Sequence, residues 1–164
     1  MKKTLVFCIS SLMMIAFLGC TDQQVKAPDA KVSAGDAGDF VTNGINKQVA
    51  NFSIDGFSGA SSTMTQNEDF ENMKNIISIV KPVIDKIPDG YAMQITGHCA
   101  DYDSAAMRQS VSTARAKKIF DELKAAGVSE SKMTYKGVGS DEPRSDLDPK
   151  DFKQRRVSFK AIKK

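Results

Sequence analysis

Helix-like and strand-like patterns of apolar residues alternate along residues 49–162, and this order limits the folds open to the chain. From Phe70 to Ile84 the apolar residues recur every three or four positions, the spacing of a helix that packs on one side. A second helical pattern ends at Gly127, a residue type that commonly terminates helices. Strands are predicted before, between and after these helices, at residues 49–54, 91–98, 133–139 and 156–162, with a short helical stretch before the last strand. The order β-α-β-α-β-α-β favours an α/β sandwich in which helices cover one sheet.

The first nineteen residues have the composition of a secretory signal peptide. Lys2 and Lys3 form a positive start, and the apolar run that follows is too short for a membrane span of roughly 20 residues. The segment Leu18-Gly19-Cys20 then resembles the lipobox of bacterial lipoproteins. Residues 1–19 are therefore predicted to be a lipoprotein signal peptide, and Cys20 is predicted to be acylated. The alternatives are a plain signal peptide with an incidental cysteine, or an uncleaved anchor.

Residues 21–46 have the composition of a tether. They are rich in Asp, Ala, Gly, Gln and Lys, and they have no sustained apolar period, which is typical of a flexible linker. About 26 such residues would have a mean end-to-end distance of roughly 30 Å. We therefore expect the lipidated cysteine and a flexible linker over residues 20–46, and a folded domain over residues 47–164.

Charge and cysteine content argue against several functional classes. The formal net charge of +3 falls to about +1 once Lys2 and Lys3 leave with the leader. No basic stripe interleaved with aromatic residues is present, so nucleic acid is not an expected partner. With Cys20 lipidated, Cys99 is alone in the mature chain and cannot form an internal disulfide; it is interpreted as a half-buried strand residue. One histidine and one thiol do not make a metal site, and no nucleophile–base pattern is present, so we expect no metal, cofactor or enzyme activity.

Four short motifs occur in a fixed order along the predicted domain. They are Gly97-His98-Cys99-Ala100-Asp101, Val111-Ser112-Thr113-Ala114-Arg115-Ala116, Gly137-Val138-Gly139 with Pro143, and Gln154-Arg155-Arg156-Val157. In this order and spacing they resemble the OmpA-like peptidoglycan-binding domain, a family that includes peptidoglycan-associated lipoproteins. The resemblance covers roughly residues 49–162. It implies an OmpA-C-like β-α-β-α-β-α-β two-layer sandwich that binds the peptide stem of peptidoglycan without covalent chemistry.

The resemblance also implies the residues of a ligand site. In the family pattern, a helix Arg and a loop Asp bind the charged groups of the dibasic amino acid in the stem. Arg115 matches that Arg, and Val111 matches the apolar residue one turn earlier on the same helix face. Asp55 falls where many members have a Phe-Asp pair. A guanidinium can bind a carboxylate through two parallel hydrogen bonds, although a structural ion pair within the domain is the alternative role for Arg115.

The chain departs from the family pattern in the loop before the second long helix. Ala100 stands at the acidic position of the family, and Asp101 follows one residue later. A one-residue shift of the loop would bring Asp101 into the site. Asp103 is a second substitute, unless it caps the helix. Arg108 stands where an Asn is expected.

Three residues within these motifs are interpreted as structural. His98 is expected to pack beside the loop. Arg155 and Arg156 are expected to pair with surface acids around the final strand, with direct ligand binding as the alternative.

Together these features predict a lipid-anchored protein of the outer membrane whose domain faces the periplasm. It would link the membrane to the cell wall by binding the dibasic end of the stem peptide, with other envelope proteins as further partners. Thr21 after Cys20, rather than an Asp, fits outer-membrane sorting in bacteria that follow that rule. Ala100 suggests the alternative of an OmpA-like lipoprotein that has lost wall binding and serves as a protein-interaction or structural component of the envelope.

Overall fold

A four-stranded sheet organises residues 34–164, the part of the chain that this computed structural model describes. The helices and strands, in chain order, are α1 (Ala34–Val49), β1 (Ser53–Ile54), α2 (Asn67–Asp85), β2 (Tyr91–Gly97), α3 (Ala105–Ala125), β3 (Met133–Gly137) and β4 (Val157–Lys163). Short 3-10 turns occur at Glu130–Lys132 and Phe152–Gln154. The predicted α/β fold is confirmed, with two differences: α1 precedes the first strand, and the third predicted helix is one 3-10 turn.

The strand order in the sheet is β1-β4-β2-β3. Strands β2 and β3 are parallel, whereas β4 runs antiparallel to both of its neighbours, β1 and β2. Buried side chains alternate along β4, at Val157, Phe159 and Ala161, so one face of this strand is directed into the core. Nearly every side chain of β2 is buried, as expected for a central strand.

The two long helices form as their apolar spacing predicts. In α2 the side chains of Met73, Ile77, Val80 and Ile84 are buried in the core. In α3 the corresponding buried stripe is Ala116, Ile119 and Leu123. The Ser104 hydroxyl caps α3 by accepting from the backbone N–H of Met107, and Gly127, with φ of 91°, follows its end.

Paired glycines set how closely α3 approaches the sheet. Gly97 at the end of β2 is opposite Gly137 at the end of β3. A Cβ atom on Gly97 would overlap the carbonyl oxygen of Ser112, and one on Gly137 would overlap the backbone nitrogen of Thr113. The helix therefore lies directly on the ends of both strands, which brings its first turns beside the loop that leaves β2.

The prediction of a flexible linker over residues 20–46 is wrong for residues 34–46, because these residues belong to α1. This helix contains three glycines and has low intrinsic helix propensity, so it depends on tertiary contacts. Its buried face carries Thr42, Ile45 and Val49, the last of which was predicted to lie in the first strand. The predicted signal peptide, the lipidated Cys20 and the remaining linker lie outside the described residues.

Helix α1 supplies hydrogen-bond partners to the edge of β4 beyond the point where the short strand β1 ends. Strand β1 pairs only with Val157 and Ser158 of β4. Farther along β4, the Asn46 side chain donates from Nδ2 to the Ala161 carbonyl at 3.0 Å, and its Oδ1 accepts from the Ala161 N–H at 2.7 Å. One amide side chain thus replaces a strand partner at this edge.

None of the helices formed by residues 34–164 is both long enough and apolar enough to cross a membrane.

We predict that Asn46→Ala lowers the free energy of unfolding by about 1–3 kcal/mol, because it leaves a backbone N–H and a carbonyl of β4 unpaired. Chemical denaturation of the purified protein measures this change. Asn43, exposed on the same helix, provides the control Asn43→Ala, which should change stability by less than about 0.5 kcal/mol. Equal stability of the two variants would mean that α1 does not pair with β4 in solution.

Candidate functional site

The guanidinium of Arg115 is the most deeply buried charged group in the described structure, with no exposed surface. It lies on α3 and is held by backbone carbonyls from two loops. Its Nε donates to the Ser61 carbonyl at 2.8 Å, Nη2 to the Gly59 carbonyl at 2.5 Å, and Nη1 to the His98 carbonyl at 2.9 Å. Nη1 also lies 3.3 Å from Sγ of Cys99. These contacts tie α3 to the loop after β1 and to the loop after β2.

No ion pair within residues 34–164 includes Arg115, so the alternative of a structural ion pair finds no partner there. Burial lowers the pKa of Arg115 because the charged form loses water, and the nearby positive charge of Arg155 adds to this effect. A guanidinium carries five N–H groups, and the contacts above use four of them. One N–H on Nη2 therefore remains for a further acceptor.

Arg115 forms part of the wall of a cavity of about 300 Å³. This volume is at the lower end of the range for small-molecule sites, roughly 300–1,000 Å³. The cavity, here named the arginine cavity, is also lined by three other residues that the sequence analysis put forward for the ligand site, Val111, Asp103 and Ala100. Two other predicted ligand residues, Asp101 and Asp55, do not line it.

Asp101 is engaged by groups of the protein itself. Its Oδ1 lies 3.2 Å from Nη1 of Arg108 and accepts from the Ser140 hydroxyl at 3.4 Å, and its backbone N–H donates to the Pro149 carbonyl. Nη1 of Arg108 also donates to the carbonyls of Tyr102 and Asp103. Arg108, which stands where the family pattern has an Asn, thus fixes the loop by bonding to three consecutive residues.

Asp103 lies at the cavity in a left-handed backbone conformation with φ of 64°, which an aspartate tolerates better than most residues. The suggestion that it caps α3 is wrong, because Ser104 supplies the cap. Within the described part of the chain, its carboxylate makes no hydrogen bond or ion pair.

Asp55 belongs to a different cluster. The Ser53 hydroxyl lies 3.1 Å and 3.3 Å from its two carboxylate oxygens. Burial raises the pKa of Asp55, while the Ser53 hydrogen bond and the positive charges of Arg144 and Arg156 oppose the rise. The arginines near Asp55 are therefore not those that line the arginine cavity.

The consecutive residues Arg155 and Arg156 have different surroundings. Arg155 lines the arginine cavity, whereas Arg156 is buried and donates to Oε1 of Gln154 at 3.0 Å and to the Glu142 carbonyl at 3.1 Å. The prediction that both pair with surface acids is wrong, since neither forms an ion pair with any residue in 34–164. Of the two, Arg155 alone lines the arginine cavity.

The surroundings of His98 and Cys99 indicate structural roles for both residues. The buried ring of His98 has Nε2 within 2.8 Å of the Ser158 hydroxyl, and burial lowers its pKa to about 3, so the ring is neutral at physiological pH. This agrees with the predicted packing role. Burial also raises the pKa of the Cys99 thiol, which argues against an activated nucleophile. Among the described residues, no group of three or more His, Cys, Asp or Glu side chains is placed to hold a metal ion.

The arginine cavity is chemically suited to an anionic or zwitterionic group. Three arginines line it, Arg108, Arg115 and Arg155, together with one acidic residue, Asp103. Tyr102 lines it as well and is 57% exposed, so an apolar surface is open beside the charges. A ligand with a carboxylate, an ammonium group and a short methylene chain would satisfy all three features.

Comparisons with known proteins agree with this fold. The OmpA-like domain of FopA1 from Francisella tularensis is 16% identical, with a TM-score of 0.53 over 66% of this chain and 68% of that one. The C-terminal domain of Helicobacter pylori MotB is 20% identical, with a TM-score of 0.53 over 66% and 83% of the two chains. A longer periplasmic domain of the same MotB is 19% identical, with a TM-score of 0.53 over 68% and 81%. At these identities the likeness establishes the fold alone.

No curated protein matches the chain. The OmpA family itself does match, over residues 56–156. This range includes β2, α3, β3 and every residue of the arginine cavity, and it is more than half of the chain. The chain belongs to the OmpA family.

Proposed function

We propose that this domain binds the peptide stem of peptidoglycan non-covalently, with the dibasic amino acid of the stem in the arginine cavity. Arg115 binds the carboxylate of that amino acid and Asp103 binds its ammonium group. One observation supports this most: the completely buried Arg115 and the acidic Asp103 line the same cavity, and within residues 34–164 neither side chain forms an ion pair. The similar fold of a periplasmic domain, that of Helicobacter pylori MotB, fits a site that faces the cell wall.

The fold keeps the Arg115 guanidinium desolvated and in a fixed orientation, and both properties favour the binding of an anion. Folding has already removed its water, so a ligand carboxylate forms a charge-assisted hydrogen bond without further desolvation of the guanidinium. Such bonds contribute about 1.5–3 kcal/mol each. The carbonyls of Gly59, Ser61 and His98 hold the group in one orientation, which reduces the entropy lost on binding.

The environment of the two loop acids favours Asp103 over Asp101 as the partner of the ammonium group. The Asp101 carboxylate already has Arg108 and Ser140 as partners, whereas the Asp103 carboxylate has none among the described residues and lies at the cavity. Asp103 would therefore replace the acid that the family pattern has at Ala100.

We further propose that residues 1–19 are removed as a signal peptide and that Cys20 is acylated. The domain would then be tethered to the outer membrane and face the periplasm. This proposal depends on the charged start, the short apolar run and the cysteine after Leu18-Gly19.

The presence of Ala100 in the cavity lining keeps a second function open. A member of the family without the acid at this position would keep the fold and serve as a protein-interaction or structural component of the envelope. Binding to the wall separates the two functions.

We predict that the protein sediments with purified wall sacculi and that Asp103→Asn weakens this binding at least tenfold, or about 1.4 kcal/mol, because the ammonium group loses its partner. Asp101→Asn is the matched control: it removes one negative charge from the same loop but only a partly exposed ion pair, and should weaken binding less than about threefold. Arg115→Ala is less informative, because it also removes the hydrogen bonds from Arg115 to three loop carbonyls and so alters the structure of the loops.

A larger loss in Asp101→Asn than in Asp103→Asn would assign the ammonium group to Asp101. Absence of the wild-type protein from the sacculus pellet would instead favour the protein-interaction function.

We also predict that Cys20→Ala abolishes the incorporation of labelled fatty acid and releases the protein from the membrane fraction. Each buried methylene of an acyl chain contributes about 0.8 kcal/mol to membrane attachment, so its loss should be complete in a fractionation assay. Cys99→Ala, which removes a buried thiol, is the control and should still take up label. Label that persists in Cys20→Ala would rule out lipidation at this residue.

A further inference from the structure

The backbone of Asp103 has a conformation that needs support from its surroundings. Among residues 34–164, Asp103 is the only non-glycine residue with a positive φ, of 64°. A residue that carries a Cβ atom keeps such a conformation when neighbouring groups hold it there. The direction of the Asp103 side chain, and therefore its place at the arginine cavity, depends on those groups.

The side chain of Arg108 supplies this support. Its Nη1 donates to the Asp103 carbonyl at 2.6 Å and to the Tyr102 carbonyl at 3.3 Å, and it lies 3.2 Å from Oδ1 of Asp101. The side chain is 20% exposed and starts from the first turn of α3, where the Arg108 backbone N–H donates to the Ser104 carbonyl. The loop is thus held by the helix that follows it.

The two carbonyls that Arg108 binds belong to the peptide groups on either side of the Asp103 Cα atom. Each peptide group is planar, so a bond that holds its carbonyl constrains the orientation of the whole group. The relative orientation of the two groups sets φ and ψ of the residue between them, and thereby the direction of its Cα–Cβ bond. One nitrogen atom of Arg108 therefore orients the Asp103 side chain through the backbone alone.

We infer that Arg108 is a positioning residue of the ligand site, which orients Asp103 towards the ammonium group of the ligand. This inference rests on the proposed function, because that function assigns the ammonium group to Asp103. It also relates two departures of this loop from the family pattern. The arginine at position 108 places Asp103 as the substitute for the acid that is absent at Ala100.

A direct contact between Arg108 and the ligand is the competing role, since Arg108 also lines the arginine cavity. Its Nη1 is engaged by the loop, whereas its Nε and Nη2 have no partner among the described residues. A double-mutant cycle separates the two roles. A residue that acts through Asp103 loses its effect on binding once the Asp103 carboxylate is removed, whereas a residue that contacts the ligand itself keeps that effect.

The first test is a calorimetric titration of the full-length protein with a synthetic tripeptide of alanine, γ-linked glutamate and diaminopimelate. Arg108→Met keeps a long side chain without donors and should weaken binding about fivefold or more. In protein that carries Asp103→Asn, the same change should weaken binding less than about twofold. Lys117→Gln, which removes a positive charge and an exposed ion pair from the same helix, should have less than about a twofold effect in either background. Equal losses from Arg108→Met in the two backgrounds would assign Arg108 a direct contact and overturn the inference.

A second test needs no ligand and reports the orientation itself. In 13C-labelled protein, the one-bond coupling between Cα and Hα distinguishes a positive from a negative φ. Arg108→Met and the shorter, polar variant Arg108→Gln should both move the Asp103 coupling towards the value for a negative φ, while Lys117→Gln leaves it unchanged. A coupling that keeps its positive-φ value in the Arg108 variants would contradict the inference, even where binding is weakened.

The outcomes also separate this inference from the proposed function. Tripeptide binding that depends on Asp103 but not on Arg108 would leave the proposed function in place and overturn the inference alone. Failure of the wild-type protein to bind the tripeptide would overturn the proposed function, and with it the role of Asp103 that Arg108 serves. Circular dichroism checks that each variant is folded, and Arg108→Gln takes the place of Arg108→Met in both tests if the latter unfolds.

Discussion

The site depends on one buried guanidinium that is bonded by carbonyls rather than by a carboxylate. Arg115 connects α3 to the loop after β1, through Gly59 and Ser61, and to the end of β2, through His98. Carbonyl dipoles stabilise the cation without cancelling its charge, so the fold keeps a positive group at a cavity wall. The same contacts that hold the loops in place therefore position the cation to which the proposed function assigns an anionic ligand.

Two features of the scaffold fix its geometry: close backbone contact between α3 and the sheet, and an amide side chain that hydrogen-bonds to a strand as a neighbouring strand would. Gly97 and Gly137 allow α3 to lie on the ends of β2 and β3, which aligns Arg115 with the loop that leaves β2. At the opposite edge of the sheet, Asn46 pairs with Ala161 where β1 ends too early. Small residues and one amide thus fix a geometry that apolar packing alone does not specify.

The sequence predicted the elements that apolar spacing encodes and missed those that depend on tertiary contact. The stripes of α2 and α3 and the stop at Gly127 follow from periodicity, and they formed as expected. Helix α1 was not predicted, because its packed face contains a glycine and Thr42, which do not contribute to a periodic pattern of apolar residues. In the loop, the sequence placed Asp101 ahead of Asp103 as the substitute acid. The bond from Arg108 to Asp101 and the left-handed turn at Asp103 distinguish the two residues, and neither feature has a sequence signature.

The central claim is that Arg115 receives the carboxylate of a ligand, and nuclear magnetic resonance of arginine side chains tests it directly. With 15N-labelled arginine, the Nε and Nη signals of Arg115 are followed while free diaminopimelate, or its dicarboxamide, is added. The account predicts that diaminopimelate shifts the Arg115 signals and slows rotation about its Cζ–Nη2 bond, while the dicarboxamide leaves them unchanged. Binding of diaminopimelate that moves the amide signals around Asp103 but not the side-chain signals of Arg115 would contradict it.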